Sequence, residues 1–288
     1  MGTEGVVTTG AGELFFERRG TSGGAPLVCV HGGPGFTSHY LEPLFALSDV
    51  VDVVCYDQAG CGRARRSGFR RAFSLAAFVE ELEALRQALQ VESMHLLGHS
   101  FGGAIIGEYI LAHPNRVRSA VFASVSIDIP RWVEDGQRLV SQMPLMARMI
   151  LRDGERTGQF HTDQYLRALA VYYEKHVIGC SPMPDLLKRS QQESDGVTYA
   201  TVWGPNELVV SGLVSQYSLT PRLPDMSCPA LFTCGRLDEA TPEAHELFAS
   251  LVPGARCEIF ENSAHHPHIT EEAAYLLCVR RFIEAAAR

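Results

Sequence analysis

The chain has 288 residues, 46% of them apolar, and a formal net charge of −8. That is enough to bury one large core or a core with an insertion, in ordinary globular composition. The acidic balance excludes general affinity for nucleic acid or anionic lipid, and no apolar run approaches the roughly 20 residues that a membrane-spanning helix needs.

The amino-terminal stretch MGTEGVVTTGAGELFF has no basic start followed by an apolar core, so no secretion signal is expected. ELFFERRG and PLVCVHGG read as strands, the second apolar enough to be buried on both faces. VVDVVCYD is a further strand. Arg63, Arg65, Arg66, Arg70 and Arg71 then form a basic cluster, read as a solvated loop because no other basic groove accompanies it. SLAAFVEELEALRQALQ carries apolar residues at helical spacing, with Ser74 as its N-cap. SMHLLGH is a strand, FGGAIIGEYILAHP a helix stopped by Pro114, and VRSAVFASV a strand again. This alternation predicts a parallel sheet covered on both faces.

From Asp128 to Tyr217 the alternation breaks into helical sequence richer in Met and Tyr, which reads as a lid inserted into the α/β body. The predicted division is a core of 1–127 and 218–288 and a cap of 128–217. Within the cap, SQMPLMARMI and QYLRALAVYYE have two readings, the lining of an apolar entrance or the cap's own core. CPALFTCG, a helix from about Thr241, ARCEIFE and a last helix from Glu271 restore the alternation. The eight cysteines form no C-x-x-C, and Cys29, Cys55 and Cys234 sit in apolar strands where a reduced, buried thiol is usual; a cytoplasmic location is expected.

LLGHSFGGA contains Gly98-His99-Ser100-Phe101-Gly102, which fits G-x-S-x-G, the strained turn that raises a nucleophilic serine above a sheet. A serine attacks a carbonyl usefully only if a base takes its proton and a carboxylate orients the base. Asp238 follows the strand ALFTCG and His265 follows the next strand, so the order Ser, Asp, His is that of an α/β-hydrolase. His266 and His268 compete with His265, whereas His31 and His99, beside glycines, read as loop-shaping. An oxyanion needs two N–H donors. Phe101 supplies one and Gly33, in the HGGPG loop after PLVCV, the other. That loop could cradle phosphate instead, but the P-loop lysine is missing. No metal or organic cofactor is required by this chemistry.

HGGPG, GHSFGG, GRLDEATP and VWGPNEL together resemble the proline iminopeptidase family of α/β-hydrolases, including its tricorn-interacting aminopeptidase branch. The resemblance covers the whole chain. It implies an α/β-hydrolase fold with an inserted helical cap, and a substrate, small molecule or short peptide, with a free amino terminus whose first residue is cleaved off. It also implies that Glu207, in the lid motif, and Glu239, beside Asp238, hold the substrate ammonium, with Glu42 as a third anchor. An unpaired charge in a dry pocket is costly, so carboxylates there make physical sense.

Three positions depart from the family pattern: Ala59 in DQAGCGRARRS where Arg is frequent, Phe101 for a frequent Trp, and Leu208 for Phe. They put proline specificity in doubt and hint at a wider pocket. A narrower resemblance is to members that remove a protecting aminoacyl group in macrolactam antibiotic biosynthesis. The competing readings are an esterase or thioesterase on the same triad, and a non-enzymatic receptor on the same fold.

Overall fold

The computed structural model describes residues 2–10, 12–20, 23–64 and 73–286. Four members of the basic cluster, Arg65, Arg66, Arg70 and Arg71, lie outside the described residues. Arg63 is described, and its guanidinium bonds the buried Asp57 at 2.8 Å.

The strands are β1 (Gly2–Thr9), β2 (Gly12–Arg19), β3 (Leu27–Val30), β4 (Val53–Asp57), β5 (Met94–His99), β6 (Val117–Ala123), β7 (Ala230–Gly235) and β8 (Arg256–Phe260). They form one sheet in the order β1-β2-β4-β3-β5-β6-β7-β8. The first two pairings are antiparallel and the rest parallel. The helices of the body are α1 (Leu75–Ala88) and α2 (Phe101–Ala112), and later α8 (Pro242–Leu251), α9 (Pro267–Thr270) and α10 (Glu272–Ala286). Between β6 and β7 the cap contributes α3 (Ile129–Ser141), α4 (Leu145–Thr157), α5 (Asp163–Tyr173), α6 (Asp185–Gln192) and α7 (Gly196–Val202). The fold is the α/β-hydrolase fold with an inserted helical cap.

The side-chain alternation of a strand explains how one short apolar run serves two cores. In β3, Val28 and Val30 join a cluster with Leu96, Phe122, Ile105 and Phe78, while Leu27 and Cys29 join the opposite one with Val53, Leu97, Tyr275 and Phe282. Helices α1, α2 and α8 cover the first face; α10 and a 3-10 helix (Ser38–Leu47) cover the second. Ser74 caps α1, accepting the Ala77 N–H.

β1 is not apparent from the sequence. It is an edge strand that buries only Val7, so apolar alternation never marks it. The cap stripe divides. Met143, Tyr165, Leu169 and Tyr172 build a separate cap core, Met146 and Met149 face solvent, and Tyr173 reaches the central cavity. Among the described residues no helix is long and apolar enough to cross a membrane, and all eight cysteines are free thiols.

Candidate active site

Ser100 occupies the single residue between β5 and α2, at φ 53° and ψ −122°. Such a backbone costs about 1–3 kcal/mol and persists only when its surroundings over-determine it. They do so here through absent side chains. A methyl group on Gly102 would collide with the Val30 carbonyl oxygen, and one on Gly103 with Val125. The turn is pinned from outside as well, since Ser100 N–H donates to the Ala123 carbonyl at 3.0 Å.

The loops after β7 and β8 bring Asp238 and His265 together. His265 Nδ1 lies 2.8 Å from Asp238 Oδ1, which also accepts the Ala240 N–H at 2.8 Å. A carboxylate can only accept, so a proton sits on Nδ1, and in the neutral ring Nε2 is the nitrogen that carries the lone pair. Among the described residues no hydrogen bond occupies Nε2, and His265 and Ser100 line the same cavity.

The HGGPG loop lies directly against the serine: a methyl on Gly32 would stand 2.7 Å from Ser100 Cβ. Gly33, at φ +118°, has no room for one, because it would stand 2.6 Å from the Phe36 nitrogen. Among the described residues neither the Gly33 N–H nor the Phe101 N–H finds an acceptor. His31 shapes this loop. Its Nε2 accepts the Gln58 N–H at 3.1 Å, so Nδ1 is the protonated nitrogen and donates to the Gly32 carbonyl at 2.9 Å.

His99 shapes another. The Gly32 N–H donates to the Tyr40 hydroxyl (2.9 Å), the hydroxyl donates to His99 Nδ1 (3.0 Å), and His99 Nε2–H donates to the His265 carbonyl (2.8 Å). The direction is forced at its end, because a carbonyl has no proton to give. This chain joins the loops after β3, β5 and β8, and nothing in the local sequence signals Tyr40 as its centre. His266 stacks on His99 at 5.1 Å, and His268 Nε2 donates to the Tyr40 carbonyl. Burial holds all three of these rings neutral, His268 down to about 3. Nitrogens of His99, His266 and His268 lie within 4.8 Å of one another. Both His99 nitrogens and one of His268 are already spent in hydrogen bonds, so the trio as built offers no ligand set for a metal.

The cavity of about 300 Å³ holds Ser100 and His265 together with Gly33, Glu207, Glu239 and Tyr173. Glu207 is set by the turn that precedes it. Asn206 Oδ1 accepts the Leu208 and Val209 N–H groups, and Trp132 donates its indole N–H to the Glu207 carbonyl at 2.9 Å. The Tyr199 hydroxyl donates to Glu207 Oε1 at 2.8 Å. Glu239 is 2% exposed, and among the described residues no cation pairs with its carboxylate and no donor meets it in full hydrogen-bond geometry, the Tyr172 hydroxyl being its nearest source of a proton. Burial pushes Glu207 up to about 7 despite the Tyr199 bond; burial, then the charge of Glu207, push Glu239 well above the usual carboxylate range.

Glu42 stands elsewhere. It is not among the cavity's lining residues, and its Oε1 is bonded to His39 Nδ1 at 2.9 Å. The departures Ala59, Phe101 and Leu208 do not line the cavity through their side chains either. Phe101 packs edge-on against Phe78 and Leu208 sits in the cap core, so the hint of a wider pocket has no basis at these positions.

A serine on a strained strand-to-helix turn, a histidine–aspartate pair and a helical cap define the class, a serine hydrolase of the α/β-hydrolase kind. Residues 25–272 match that family, described as the alpha/beta hydrolase fold. The proline iminopeptidase of Heyndrickxia coagulans is 34% identical over 287 residues, 99% of this chain and all of that one. That of Saccharolobus solfataricus is 34% identical over 90% of this chain and 84% of its own. Among solved structures, VinJ superposes with a TM-score of 0.92 at 30% identity, covering 99% of each chain. The proline iminopeptidase of Mycobacterium smegmatis gives 0.90 at 29%, covering 99% of this chain and 98% of that one. The chain belongs to the proline-iminopeptidase-like family of α/β-hydrolases. It is an enzyme, a serine hydrolase that works through an acyl-enzyme.

Proposed function

We propose that this enzyme hydrolyses an amide bond to release the amino-terminal residue of a small substrate bearing a free ammonium group. The observation that carries the reading is Glu239, a buried carboxylate that no cation pairs with among the described residues, on the same cavity as Glu207 and Ser100. A group so placed is costly unless a cation completes it. In this reading Glu207 comes from the cap (128–217) and Glu239 from the core (1–127 and 218–288), and together they set the distance from ammonium to scissile carbonyl. Glu42 has no part in it.

Ser100 Oγ attacks the carbonyl carbon as its proton passes to His265 Nε2, with Asp238 holding the imidazole. The Gly33 and Phe101 N–H groups receive the oxyanion. The C–N bond breaks as His265 returns the proton to the leaving nitrogen, and water, activated by the same histidine, releases the amino acid. The leaving amine is a short peptide or the amine of a larger natural product, as when the substrate is an aminoacylated macrolactam; a panel of aminoacyl amides with small and bulky amine portions separates the two.

The test is a free-amine aminoacyl arylamide beside its N-acetyl derivative. Ser100→Ala is expected to lower turnover at least about 1,000-fold with unchanged circular dichroism. Acetylation is expected to lower kcat/KM about 100-fold or more, the loss of a charge-assisted contact. Equal rates for the two substrates, or faster turnover of an uncharged p-nitrophenyl ester, would replace the aminopeptidase reading with an esterase.

A further inference from the structure

We propose that His176 is a positioning residue through which the cap holds the catalytic loops of the core. The inference rests on the assignment of Asp238 and His265 made above. After α5 the chain makes one π turn (Glu174–Ile178) and leaves through Gly179 at φ +72°. A turn of this kind widens the helix and exposes carbonyls, and such turns recur at functional sites.

Here the turn reaches both catalytic loops. The His265 N–H donates to the Val177 carbonyl at 3.3 Å. The Glu239 N–H donates to the His176 carbonyl at 3.1 Å, and His176 Nδ1–H donates to the Leu237 carbonyl at 2.8 Å. His176 thus grips the residues on either side of Asp238, one through its backbone and one through its ring. Approach is close enough that a methyl on Gly179 would stand 2.8 Å from Ala264 Cβ, beside His265.

The ring is there for its donor. With Nδ1 protonated toward a carbonyl, Nε2 is a bare acceptor, buried and without a partner. That is a cost which an apolar side chain of similar size would avoid. Packing against Tyr172, at 5.1 Å between rings, would be served as well by a hydrocarbon. Burial keeps the imidazole neutral, with its pKa below the usual value. Tyr173, which meets the Glu207 N–H with its hydroxyl, immediately precedes the turn. Recognition of the ammonium and alignment of the triad therefore share one piece of backbone.

His176→Leu keeps bulk without the donor, and His176→Asn restores an N–H close to the place of Nδ1. The leucine variant is expected to lose about tenfold both in kcat for an aminoacyl arylamide and in the rate of labelling by a fluorophosphonate. That reagent has no ammonium, so a parallel loss lies in the triad and not in the amine site. The asparagine variant is expected to recover most of both rates. In the wild type, ¹⁵N spectra are expected to show His176 as the Nδ1–H tautomer from pH 6 to 8. Wild-type rates in His176→Leu, an asparagine variant as slow as the leucine one, or the Nε2–H tautomer would each overturn the proposal. Should His176→Leu not fold, the asparagine variant and the wild-type tautomer decide. A wild-type enzyme inert to the fluorophosphonate would overturn the reading of Ser100, and this inference with it.

Discussion

Glu207 and Glu239 pose an electrostatic problem that the protein does not solve by itself. Two carboxyl groups withdrawn from water, Glu239 buried and Glu207 partly so, resist ionising: burial holds Glu207 at about 7 and pushes Glu239 well above the usual carboxylate range. At low pH the pair carries protons and cannot balance an ammonium ion. As pH rises through about 7, Glu207 ionises and the site becomes complementary to a cation. An α-amino group loses its own proton near 7.7–8.0, so the match fails again above that range. The ratio of kcat/KM for an aminoacyl arylamide to that for an uncharged p-nitrophenyl ester is thus expected to climb from pH 6 to about 7.5 and fall beyond 8. Taking the ratio cancels the titration of the triad, and a ratio flat with pH would remove Glu207 from the amine site. Glu207 and Glu239 were visible in the sequence only through GPNE and DE. Of the tyrosines around them, Tyr173 lies in the QYLRALAVYYE stripe, one of whose readings is an entrance lining, whereas Tyr199 carries no separate signal.

The elbow between β5 and α2 shows how an element can be built by subtraction. Glycine stands where the strand, the turn and the HGGPG loop pass within contact distance, and the strain at Ser100 is borne by that packing. Gly102→Ala is expected to destabilise the fold by about 1–3 kcal/mol, the range for overpacking, and to lower kcat with it. Urea unfolding beside steady-state kinetics measures both, and an alanine variant of wild-type stability would mean that the turn has slack. This element was legible because its glycines and its apolar strand are consecutive in the chain. β1 was not, since it buries little and earns its place by pairing with β2.

Across the whole molecule, cap and core meet at the cavity, and each supplies one carboxylate. If both hold the same ammonium ion, their contributions to binding are coupled. A double-mutant cycle with Glu207→Gln and Glu239→Gln, read in kcat/KM, is expected to give an interaction energy of about 1 kcal/mol or more. Additive losses would place the two groups on different parts of the substrate. The cap's own core, built from Tyr165, Tyr172 and Leu151, takes in Leu208, the residue next to Glu207. That arrangement depends on contacts between segments far apart in sequence, which periodicity within any one segment does not report.

Short-range patterns were enough to determine the parallel α/β body, the inserted helical cap and a serine between β5 and α2, because apolar alternation, helix caps and consecutive glycines act over a few residues. Tertiary structure alone decided among chemically identical neighbours. In AHHPH the residues differ only in the direction each side chain takes as the loop leaves β8. His265 turns to Asp238, 27 residues earlier, while His266 and His268 turn into the packing around Tyr40. Glu42 was likewise decided by its surroundings, since the 3-10 helix that carries it presents it to His39 and not to the cavity. The path of a loop in space sets such pairings, and that path depends on the whole sheet.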